Sequence, residues 1–471
     1  IRKTLGESFR NGLPRSLEWR KHQLLQLARM LQQNHDAFAD ALEKDLGKPR
    51  VEVYNHEVGA SIARSIASAR ALEDWDRPVV VDAPDWQKPW KPTVYRAGKG
   101  TVVIIAPWNF ALAQIVMPLT GAIAAGCCAV LKPSEISAHT AELLAELCPK
   151  YLDPRAYRVV LAAFRKLRRC SSFNVRSNSL LFYTGNSMVA RIIAAAAAKH
   201  LTPLTLELGG KSPAIVDPAY DLALAAKRIL WGKSLNCGQA RIHMTLCVAP
   251  DYVLIPRTHQ DKFVAALKSA YAKFFPEGSM QSPSMARIVS TQHHARLMGL
   301  LNGTKGQVVL GGRSEGQLKI ELTVIKNVRA DDSLMTGGEI FGPLLPIVPV
   351  DSIDEAIEFV RARDHPLVLY TFTENPAIKQ KILDQTLSGG AVFNDIFMQL
   401  AVNDLPFGGV GESGYGLQYG KASFDAFSYV RASIDVPGEM EPFNAARYPP
   451  YNEEKLKKLR AAVAKRIPSR L

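Results

Sequence analysis

Apolar side chains near the start of the chain recur at the spacing of an α-helix. Between residues 17 and 46 they stand at Leu24, Leu27, Met30, Leu31, Phe38 and Leu42. Residues three and four apart share one face of a helix, so this pattern predicts one or two amphipathic helices. Residues 78–100 differ, because they contain four prolines, two tryptophans and one tyrosine. Proline cannot donate a hydrogen bond to a sheet, and we therefore expect an extended arm with its prolines at the edges.

Beyond residue 100, short apolar runs alternate with stretches of helical spacing. The predicted strands are 101–106, 129–131, 180–184, 214–216, 346–350 and 391–394. The predicted helices are 111–125, 136–147, 187–199, 221–231, 261–274 and 354–363. This alternation is typical of βαβ units with a mostly parallel sheet. The chain is therefore predicted to form two α/β domains, with active-site loops where the strands end.

The composition is that of a folded protein. The chain has 471 residues, 47% hydrophobic and 22% charged, which excludes a disordered or collagen-like chain. Six cysteines are too few for a disulfide framework, and this favours a reducing compartment. No run of eighteen apolar residues occurs, so no membrane-spanning helix is predicted. The chain begins at Ile1 rather than at a methionine and carries no signal pattern, which leaves open whether its N-terminus is complete.

The positive charge of the chain is concentrated in two places. The formal net charge is +14, and residues 154–180 and 455–471 each hold seven lysines or arginines and no acid. Without interleaved aromatic residues or zinc-ligand spacing, we expect neither a nucleic-acid partner nor a metal site. In the second run, apolar residues recur at roughly helical spacing among the cations. Both a solvated terminal helix and a peripheral contact with an anionic membrane fit this tail.

Three segments that follow predicted strands contain candidate site residues. Asn109 could donate its amide N–H to a developing oxyanion, or it could be the N-cap of the next helix. Lys132 could hold a ribose or phosphate, with Glu135 opening the helix behind it, or it could be a solvated lysine. Gly185 lies in a turn whose free N–H groups could receive a cofactor phosphate, although no G-x-G-x-x-G motif is present.

A carboxylate and a thiol are candidates for the chemical step. Glu207 stands between two leucines, where loss of solvent would raise its pKa toward that of a general base, unless it is a structural carboxylate. The thiolate of cysteine attacks carbonyls readily, and Cys237 and Cys247 lie downstream. The remaining four cysteines stand in apolar or basic stretches and are predicted to be core or incidental. Glu339 could bind a ribose diol, and Phe341 could offer an aromatic face to a nicotinamide ring.

In this order, seven segments resemble signatures of the aldehyde dehydrogenase superfamily. They read PWNF, LKPSE, FYTGN, LELGGKSP, NCGQ followed by a cysteine, EIFGP and PFGGVGESG. The resemblance runs from about residue 15 to 450. Further segments, among them LEWRK, AAKHLTPLTLELGGKSP, EIFGPLLPIVPV and ARYPPY, are similar to the fatty-aldehyde (class 3) branch.

This resemblance implies an α/β aldehyde dehydrogenase-like fold with three parts. These are a Rossmann-type cofactor domain, an α/β catalytic domain and a small β oligomerisation arm. The implied boundaries are 1–80 and 102–205 for the NAD-binding domain, 81–101 and 411–435 for the arm, 206–410 for the catalytic domain, and 436–471 for a basic C-terminal tail.

The resemblance also implies a reaction and a role for each site residue. Medium- or long-chain or aromatic aldehydes would be oxidised to carboxylic acids with NAD, or NADP, through a cysteine thiohemiacetal and a thioester. Cys247 would be the nucleophile, Asn109 an oxyanion donor and Glu207 the base that activates water. The implied cofactor residues are Lys132 and Glu135 at the adenosine ribose, Gly185 at the pyrophosphate, and Glu339 and Phe341 at the nicotinamide half. A homodimer is implied, in the cytoplasm or peripherally at a membrane.

Two stretches depart from the family pattern. Seven residues, 240–246, separate NCGQ from Cys247 where the family has one, so counting from the left would put Arg241 at the nucleophile position. The segment after Cys247 supports Cys247, yet a displaced nucleophile would give a catalytically impaired relative, the alternative to an active enzyme. Residues 162–172, in the unusual stretch 162–180, also lack family character. Read in another frame, one synonymous coding of them gives Gly-Val-Pro-Glu-Thr-Thr-Ala-Leu-Leu-Gln, which suggests a frame-shifted segment.

Overall fold

The computed structural model describes residues 1–161, 180–239, 248–464 and 467–468. Cys247, the stretch 240–246 and the suspected frame-shifted segment 162–172 lie outside the described residues. The chain forms two compact units, one of Ile1–Trp75 and Gly98–Ser428 and the other of Asp76–Ala97 and Tyr429–Leu471. No described helix is both long enough and apolar enough to cross a membrane.

The described strands and helices have the following bounds. The strands are β1 (Val79–Val80), β2 (Thr93–Gly98), β3 (Thr101–Ile105), β4 (Cys128–Lys132), β5 (Tyr157–Val159), β6 (Leu180–Thr184), β7 (Leu204–Glu207), β8 (Pro213–Val216), β9 (Tyr252–Pro256), β10 (Gln307–Leu310), β11 (Ser314–Glu315), β12 (Lys319–Ile320), β13 (Thr323–Lys326), β14 (Leu344–Val350), β15 (Val368–Phe372), β16 (Gly390–Phe393), β17 (Gly414–Tyr415) and β18 (Ser428–Ser433). The α-helices are Arg2–Arg10, Leu17–Gln33, His35–Leu46, Arg50–Val53, Ala60–Asp76, Ala113–Ala124, Ala138–Tyr151, Ser187–Ala198, Leu222–Ser234, Gln260–Phe274, Thr291–Gly303, Ser333–Thr336, Ile353–Arg361, Pro376–Gln385, Gly420–Ala426, Glu441–Asn444 and Glu453–Val463.

Two N-terminal helices confirm the first prediction from the apolar pattern. Helix Leu17–Gln33 begins after Ser16, whose hydroxyl accepts the backbone N–H of Trp19 at 3.3 Å. Such a cap satisfies one of the N–H groups that have no partner within the helix. Helix His35–Leu46 ends at Gly47, which takes the left-handed conformation (φ 61°) common at helix ends.

A six-stranded sheet in the first unit has the order β17-β7-β6-β3-β4-β5. Its strands are parallel except β17, which pairs antiparallel with β7. Carboxyl ends of parallel strands meet at one edge, and ligands of open α/β sheets bind there. Glu207 ends β7 and faces Gly414, so residues 414–415, within the predicted arm range, belong to this sheet.

The second sheet of this unit has seven strands in the order β10-β13-β14-β9-β8-β15-β16. All neighbours are parallel except β10 and β13. Helix Leu222–Ser234 is capped at its N-terminus by Asp221, whose carboxylate accepts the N–H groups of Ala223 and Leu224. The two sheets and their helices confirm the alternation predicted from the sequence.

The second unit carries a three-stranded sheet in the order β1-β2-β18. Strands β1 and β2 are antiparallel, and a short 3₁₀ helix, Asp85–Trp90, lies between them in the chain. Trp86 and Trp90 pack edge to face with ring centroids 5.2 Å apart. The proline-rich stretch predicted to be extended is therefore part strand and part 3₁₀ helix.

Candidate active site

One cleft in the first unit gathers six of the eight residues predicted to form the site. The cavity has a volume of about 970 Å³, near the upper end of the range for small-molecule pockets. Its lining includes Asn109, Lys132, Glu135, Gly185, Glu339 and Phe341. Of the other two, Glu207 lies two residues from Gly209, which also lines the cleft, and Cys247 lies outside the described residues.

Asn109 is fully buried in the turn after β3. The next helix begins at Ala113 with Leu112 before it, so Asn109 is not its N-cap. Gln114 Nε2 donates to Asn109 Oδ1 at 3.3 Å, which fixes the orientation of the amide. Asn109 Nδ2 donates one N–H to the carbonyl of Gln239 at 3.2 Å. Since an amide nitrogen carries two N–H groups, a second donor remains for a substrate oxygen.

Lys132 is buried at the end of β4 and is 3% exposed, which excludes the solvated-lysine alternative. Its Nζ lies 2.5 Å from Oε2 of Glu135, three residues on. The pair presents a cation and a carboxylate together at the cleft wall. Ammonium and carboxylate groups can both hydrogen-bond a ribose hydroxyl, so this arrangement fits the role implied for the two residues.

Gly185 lies between β6 and helix Ser187–Ala198. Its N–H donates to the carbonyl of Glu207 at 3.2 Å, which ties the turn to the end of β7. Asn186 caps the helix, because its Oδ1 accepts the N–H of Val189 at 2.9 Å. Ser187 and Met188, in the first turn of this helix, line the cleft. A helix N-terminus of this kind favours an anionic group such as a phosphate.

Glu339 and Phe341 lie just before β14, on the other wall of the cleft. Arg296, which also lines the cleft, donates to the carbonyl of Ile340 at 2.6 Å and so holds this segment. A Cβ built on Gly209 would lie 2.5 Å from Cδ of Glu339, so only glycine leaves room for this carboxylate. Phe341 has a left-handed backbone (φ 51°), and its ring packs edge to face on Trp108 at 5.5 Å. A bulky residue in this conformation is strained, and such strain clusters at functional sites.

Glu207 is fully buried at the end of β7. This agrees with the expectation that its neighbouring leucines remove it from solvent. The residue joins two parts of the site, because its carbonyl accepts the N–H of Gly185 and its chain continues into Gly209.

The described cysteines are buried thiols. Burial raises the pKa of Cys127 to about 11 and those of Cys128 and Cys148 to about 12. Burial also raises the pKa of Cys237, which is 1% exposed, well above its ordinary range. The thiolate is the nucleophilic form, so none of these four is suited to attack a carbonyl. The structure therefore gives no support to Cys237 as the nucleophile, and Cys247, which lies outside the described residues, stays the nucleophile predicted from the sequence.

Several residues of the cleft were not predicted. Lys211 Nζ lies 2.5 Å from Asp251 Oδ2 and donates to the carbonyl of Leu334 at 2.8 Å. His293 packs edge to face on Trp108, and burial lowers the pKa of its imidazole. Lys211 stands inside a predicted motif and could have been found there. His293 and Arg296 stand in helix Thr291–Gly303, far along the chain from any motif, and carry no signal in the sequence.

The groups that line the cleft match those a nicotinamide dinucleotide requires. Phosphates need helix N–H groups or cations, ribose hydroxyls need carboxylates or lysine, and the nicotinamide ring needs a flat apolar face. The first turn of helix Ser187–Ala198, the Lys132–Glu135 pair, Glu339 and Phe341 supply these in one cavity. The residues present therefore fit NAD or NADP.

Comparison with known proteins agrees with this chemistry. A model of the aldehyde dehydrogenase family matches residues 13–433. Aldehyde dehydrogenase family 3 member B1 of Mus musculus is 41% identical over 463 residues, covering 98% of this chain and 96% of that protein. Family 3 member A2 of Rattus norvegicus is 39% identical over 462 residues, covering 96% of this chain and 91% of that protein. The substrate-bound structure of Staphylococcus aureus AldH superposes with a TM-score of 0.92 at 35% identity, covering 98% of each chain.

These findings confirm the predicted fold class, the NAD(P) cofactor and the oxidation of an aldehyde substrate. They give no support to the alternative of a catalytically impaired relative. The chain belongs to the aldehyde dehydrogenase family and is an NAD(P)-dependent oxidoreductase that converts aldehydes to carboxylic acids.

Proposed function

We propose that this enzyme acts on medium- or long-chain or aromatic aldehydes, with Cys247 as nucleophile, Asn109 as oxyanion donor and Glu207 as the base. The observation that carries the proposal is the shared cleft, which brings Asn109 together with all five expected cofactor residues. The substrate class rests on the similarity to family 3 members and on the sequence segments typical of the fatty-aldehyde branch.

In the proposed first step, the Cys247 thiolate forms a bond to the aldehyde carbonyl carbon, and the carbonyl electron pair moves onto oxygen. Asn109 donates the second N–H of its amide to this oxyanion. Preorganised donors of this kind account for about 10²- to 10³-fold in rate. The Gln114–Asn109 hydrogen bond holds the amide ready, so little reorganisation accompanies the step.

NAD(P)⁺, when bound, would accept the hydride that leaves the thiohemiacetal carbon as the oxyanion re-forms the carbonyl, which gives the thioester. Lys132, Glu135, Gly185, Glu339 and Phe341 are the residues proposed to hold it. Glu207 then takes a proton from water, whose oxygen attacks the thioester carbonyl, and the thiolate of Cys247 leaves. The carboxylic acid is released, Glu207 gives its proton up to solvent, and the thiolate of Cys247 is ready for the next aldehyde. Burial of Glu207 supports this role, because a desolvated carboxylate is a stronger base.

Site-directed variants test the assignment of the nucleophile. The purified enzyme with NAD⁺ and a medium-chain aldehyde should raise the absorbance at 340 nm. Cys247→Ser should abolish this increase, whereas Cys237→Ser, the matched control, should retain it within about threefold. The assignment of Cys247 as the nucleophile would be overturned if Cys247→Ser remained active while Cys237→Ser lost its activity. Straight-chain aldehydes of increasing length and benzaldehyde would establish the substrate class by their kcat/KM values.

The second unit supports a proposed homodimer. Strand β18 stands at the edge of its sheet and carries the exposed side chains of Tyr429 and Val430, and β1 carries exposed Val79 and Val80. An edge strand with apolar residues favours pairing with another chain. Analytical ultracentrifugation should give a dimer for the natural chain and a monomer for Val430→Arg. A dimer in both would place the contact elsewhere.

The terminal helix supports a proposed peripheral membrane contact of an otherwise cytoplasmic enzyme. Helix Glu453–Val463 exposes Leu456, Leu459 and Val463, which recur at helical spacing among four cations. Each lysine or arginine at an anionic surface contributes about 1 kcal/mol. Co-sedimentation with vesicles containing phosphatidylserine should be lost on deletion of residues 452–471. Equal binding by both forms would remove the tail from the proposal.

A further inference from the structure

A buried cluster of charged residues lies behind the site, on a segment that no motif marks. The chain passes from helix Arg50–Val53 directly into a π-helix, Tyr54–Gly59. A Cβ on Gly59 would lie 2.6 Å from the carbonyl oxygen of Tyr54, so glycine permits this wider turn. Glu52 and Glu57 are both buried here. Short π-helical segments occur frequently at functional sites.

One side of the cluster contacts the turn that carries Asn109. Lys48 and Glu57 form an ion pair with Nζ and Oε1 2.5 Å apart, and both side chains are 0% exposed. Lys48 Nζ also donates to the carbonyl of Asn109 at 3.0 Å. Glu57 Oε2 accepts the N–H groups of Leu112 and Ala113, at 3.1 Å each, and so holds the start of the helix behind Asn109. The oxyanion donor is therefore attached to a fixed buried ion pair.

The other side of the cluster contacts the segment that leads toward Cys247. Glu52 Oε2 accepts the backbone N–H of Asn236 at 3.1 Å. Asn236 Nδ2 donates to the carbonyls of Asn109 and Gln239, also at 3.1 Å each. Asn236 and Cys237 have left-handed backbones, with φ of 46° and 58°. Such residues are strained, and the strained form persists only where the surroundings hold it.

We propose that Glu52 is a positioning residue for the reaction: through the N–H of Asn236 it holds the strained turn 236–239 against Asn109. Glu52 touches neither substrate nor cofactor and acts through Asn236. This inference rests on the proposed role of Asn109. An ionised Glu52 accepts a charge-assisted hydrogen bond, which is stronger than one to a neutral carboxyl group. The turn should therefore be held most firmly when Glu52 is ionised.

The surroundings of Glu52 make its ionisation state sensitive to neutral pH. Burial raises the pKa of Glu52 to about 7, with Lys48 and the Asn236 N–H acting to lower it and Glu57 to raise it. Within the described residues, the charged and titratable groups that face Glu52 are Lys48, Glu57 and the neutral thiol of Cys237. Lys48 is already paired with Glu57, so a single cation interacts with both carboxylates and only partly offsets the effect of burial on the pKa of Glu52.

The pH dependence of kcat in the full enzyme tests the proposal. Glu52→Gln keeps an acceptor oxygen but cannot ionise. At pH 6, where natural Glu52 is largely neutral, the two enzymes should agree within about threefold. At pH 8.5 the variant should be slower by roughly tenfold, while KM for NAD⁺ stays within about twofold. A ratio of the two kcat values that does not change between pH 6 and 8.5 would overturn the proposal.

Three further variants make the outcome decisive. Glu43→Gln, which changes an exposed acid on helix His35–Leu46, is the matched control and should follow the natural enzyme at every pH. If Glu52→Gln does not fold, Glu52→Asp replaces it, because its shorter carboxylate cannot reach Asn236. It should lower kcat at pH 8.5 by roughly tenfold, and an unchanged kcat would also overturn the proposal. Asn109→Ala distinguishes failure of the Glu52 proposal from failure of the proposed function. Full activity of Asn109→Ala would contradict the role of Asn109 as oxyanion donor, whatever the Glu52 variants show.

Discussion

Replacing Gly209 by alanine tests whether Glu339 acts in the cofactor cleft. A methyl group built on Gly209 would lie 2.5 Å from Cδ of Glu339 and 2.7 Å from its Oε1. Non-bonded heavy atoms need about 3.5 Å, and Oε2 of Glu339 would lie nearer to the methyl group than Cδ does, so the carboxylate must move by at least about 1 Å. Gly209 does not have a left-handed backbone, and alanine is therefore compatible with its conformation. The substitution should displace Glu339 without distorting the chain.

The magnitude follows from the position of the displaced group. The carboxylate is the far end of a flexible side chain, so the melting temperature should fall by no more than a few degrees. Catalysis is more sensitive, because a shift of about 1 Å costs on the order of 100-fold and a lost charged hydrogen bond about 1.5–3 kcal/mol. We expect kcat/KM for NAD⁺ to fall by about 10- to 100-fold.

The assay is the increase in absorbance at 340 nm with varied NAD⁺ and a saturating medium-chain aldehyde. Gly210→Ala is the matched control, since its Cβ would have the backbone nitrogen of Leu367 as nearest neighbour, at 3.3 Å, and would not approach Glu339. Glu339→Gln combined with Gly209→Ala should be no slower than Glu339→Gln alone, because both changes act on one carboxylate. Kinetics of Gly209→Ala equal to those of Gly210→Ala, or full additivity in the double variant, would refute the reasoning.

Three further predictions concern stability and are checked by chemical or thermal unfolding. Lys48→Met should destabilise the fold by about 3–5 kcal/mol, because it leaves Glu57 as an unpaired buried charge, and a second change, Glu57→Leu, should recover part of the loss. The raised pKa of Glu52, about 7 against an ordinary 4.5, means that the folded chain keeps a proton which the unfolded chain releases. Stability should therefore fall by up to about 3 kcal/mol as the pH rises from 4.5 to 7, and Glu52→Gln should remove that slope. Asn186→Ala should lower the free energy of unfolding by about 1 kcal/mol, because the helix loses its cap. Asn186→Ser should keep most of the stability, because serine can also cap a helix.

The sequence predicts those parts of the fold that local patterns determine. Strand β6 has the predicted bounds, because its five side chains, four of them apolar or aromatic, are all buried and a glycine follows the strand. Asn109, Lys132 and Gly185 were predicted because each follows such a strand. The two-residue strand β17 falls within the predicted arm range, but it pairs with β7 in the six-stranded sheet. Local patterns could not show this pairing, because the two strands lie some 200 positions apart in the sequence.

The buried cluster behind the site could not be predicted in this way. Glu52 and Glu57 stand in a helical segment and Lys48 just before it, and the sequence there gives no sign of the π-helix or of burial. Lys48 and Glu52 form hydrogen bonds to Asn109 and Asn236, which lie more than fifty positions away in the sequence. These contacts exist only in the folded chain and leave no local pattern in the sequence. The left-handed backbone of Phe341 is equally hidden, because a bulky side chain ordinarily takes another conformation, and an asparagine such as Asn236 takes it too seldom for a prediction.

The two sheets contribute to the cleft from opposite ends of their strands. Residues from the six-stranded sheet follow its strands, as Lys132 ends β4, in agreement with the rule that ligands bind at carboxyl ends. Residues from the seven-stranded sheet precede their strands, as Glu339 and Phe341 stand before β14, so the sequence-based expectation of active-site loops after the strands is wrong for this sheet. Ligands bind at the carboxyl ends of parallel strands because helix N-termini and open loops lie there. In this cleft the six-stranded sheet supplies the helix N-terminus and the loops.

The carboxyl edge of the seven-stranded sheet is therefore expected to be independent of the reaction. It carries a cavity of about 560 Å³ whose lining includes Arg257, Arg329 and Phe359. Arg329→Ala removes a cation that is paired there with Asp331 at 3.1 Å and leaves every contact of the cleft unchanged. The variant should keep kcat and both KM values within about twofold, because changes at a distant exposed ion pair are nearly neutral. A tenfold loss would mean that the two edges of this sheet are coupled, and the division between a ligand-binding and a ligand-free edge would then have to be abandoned.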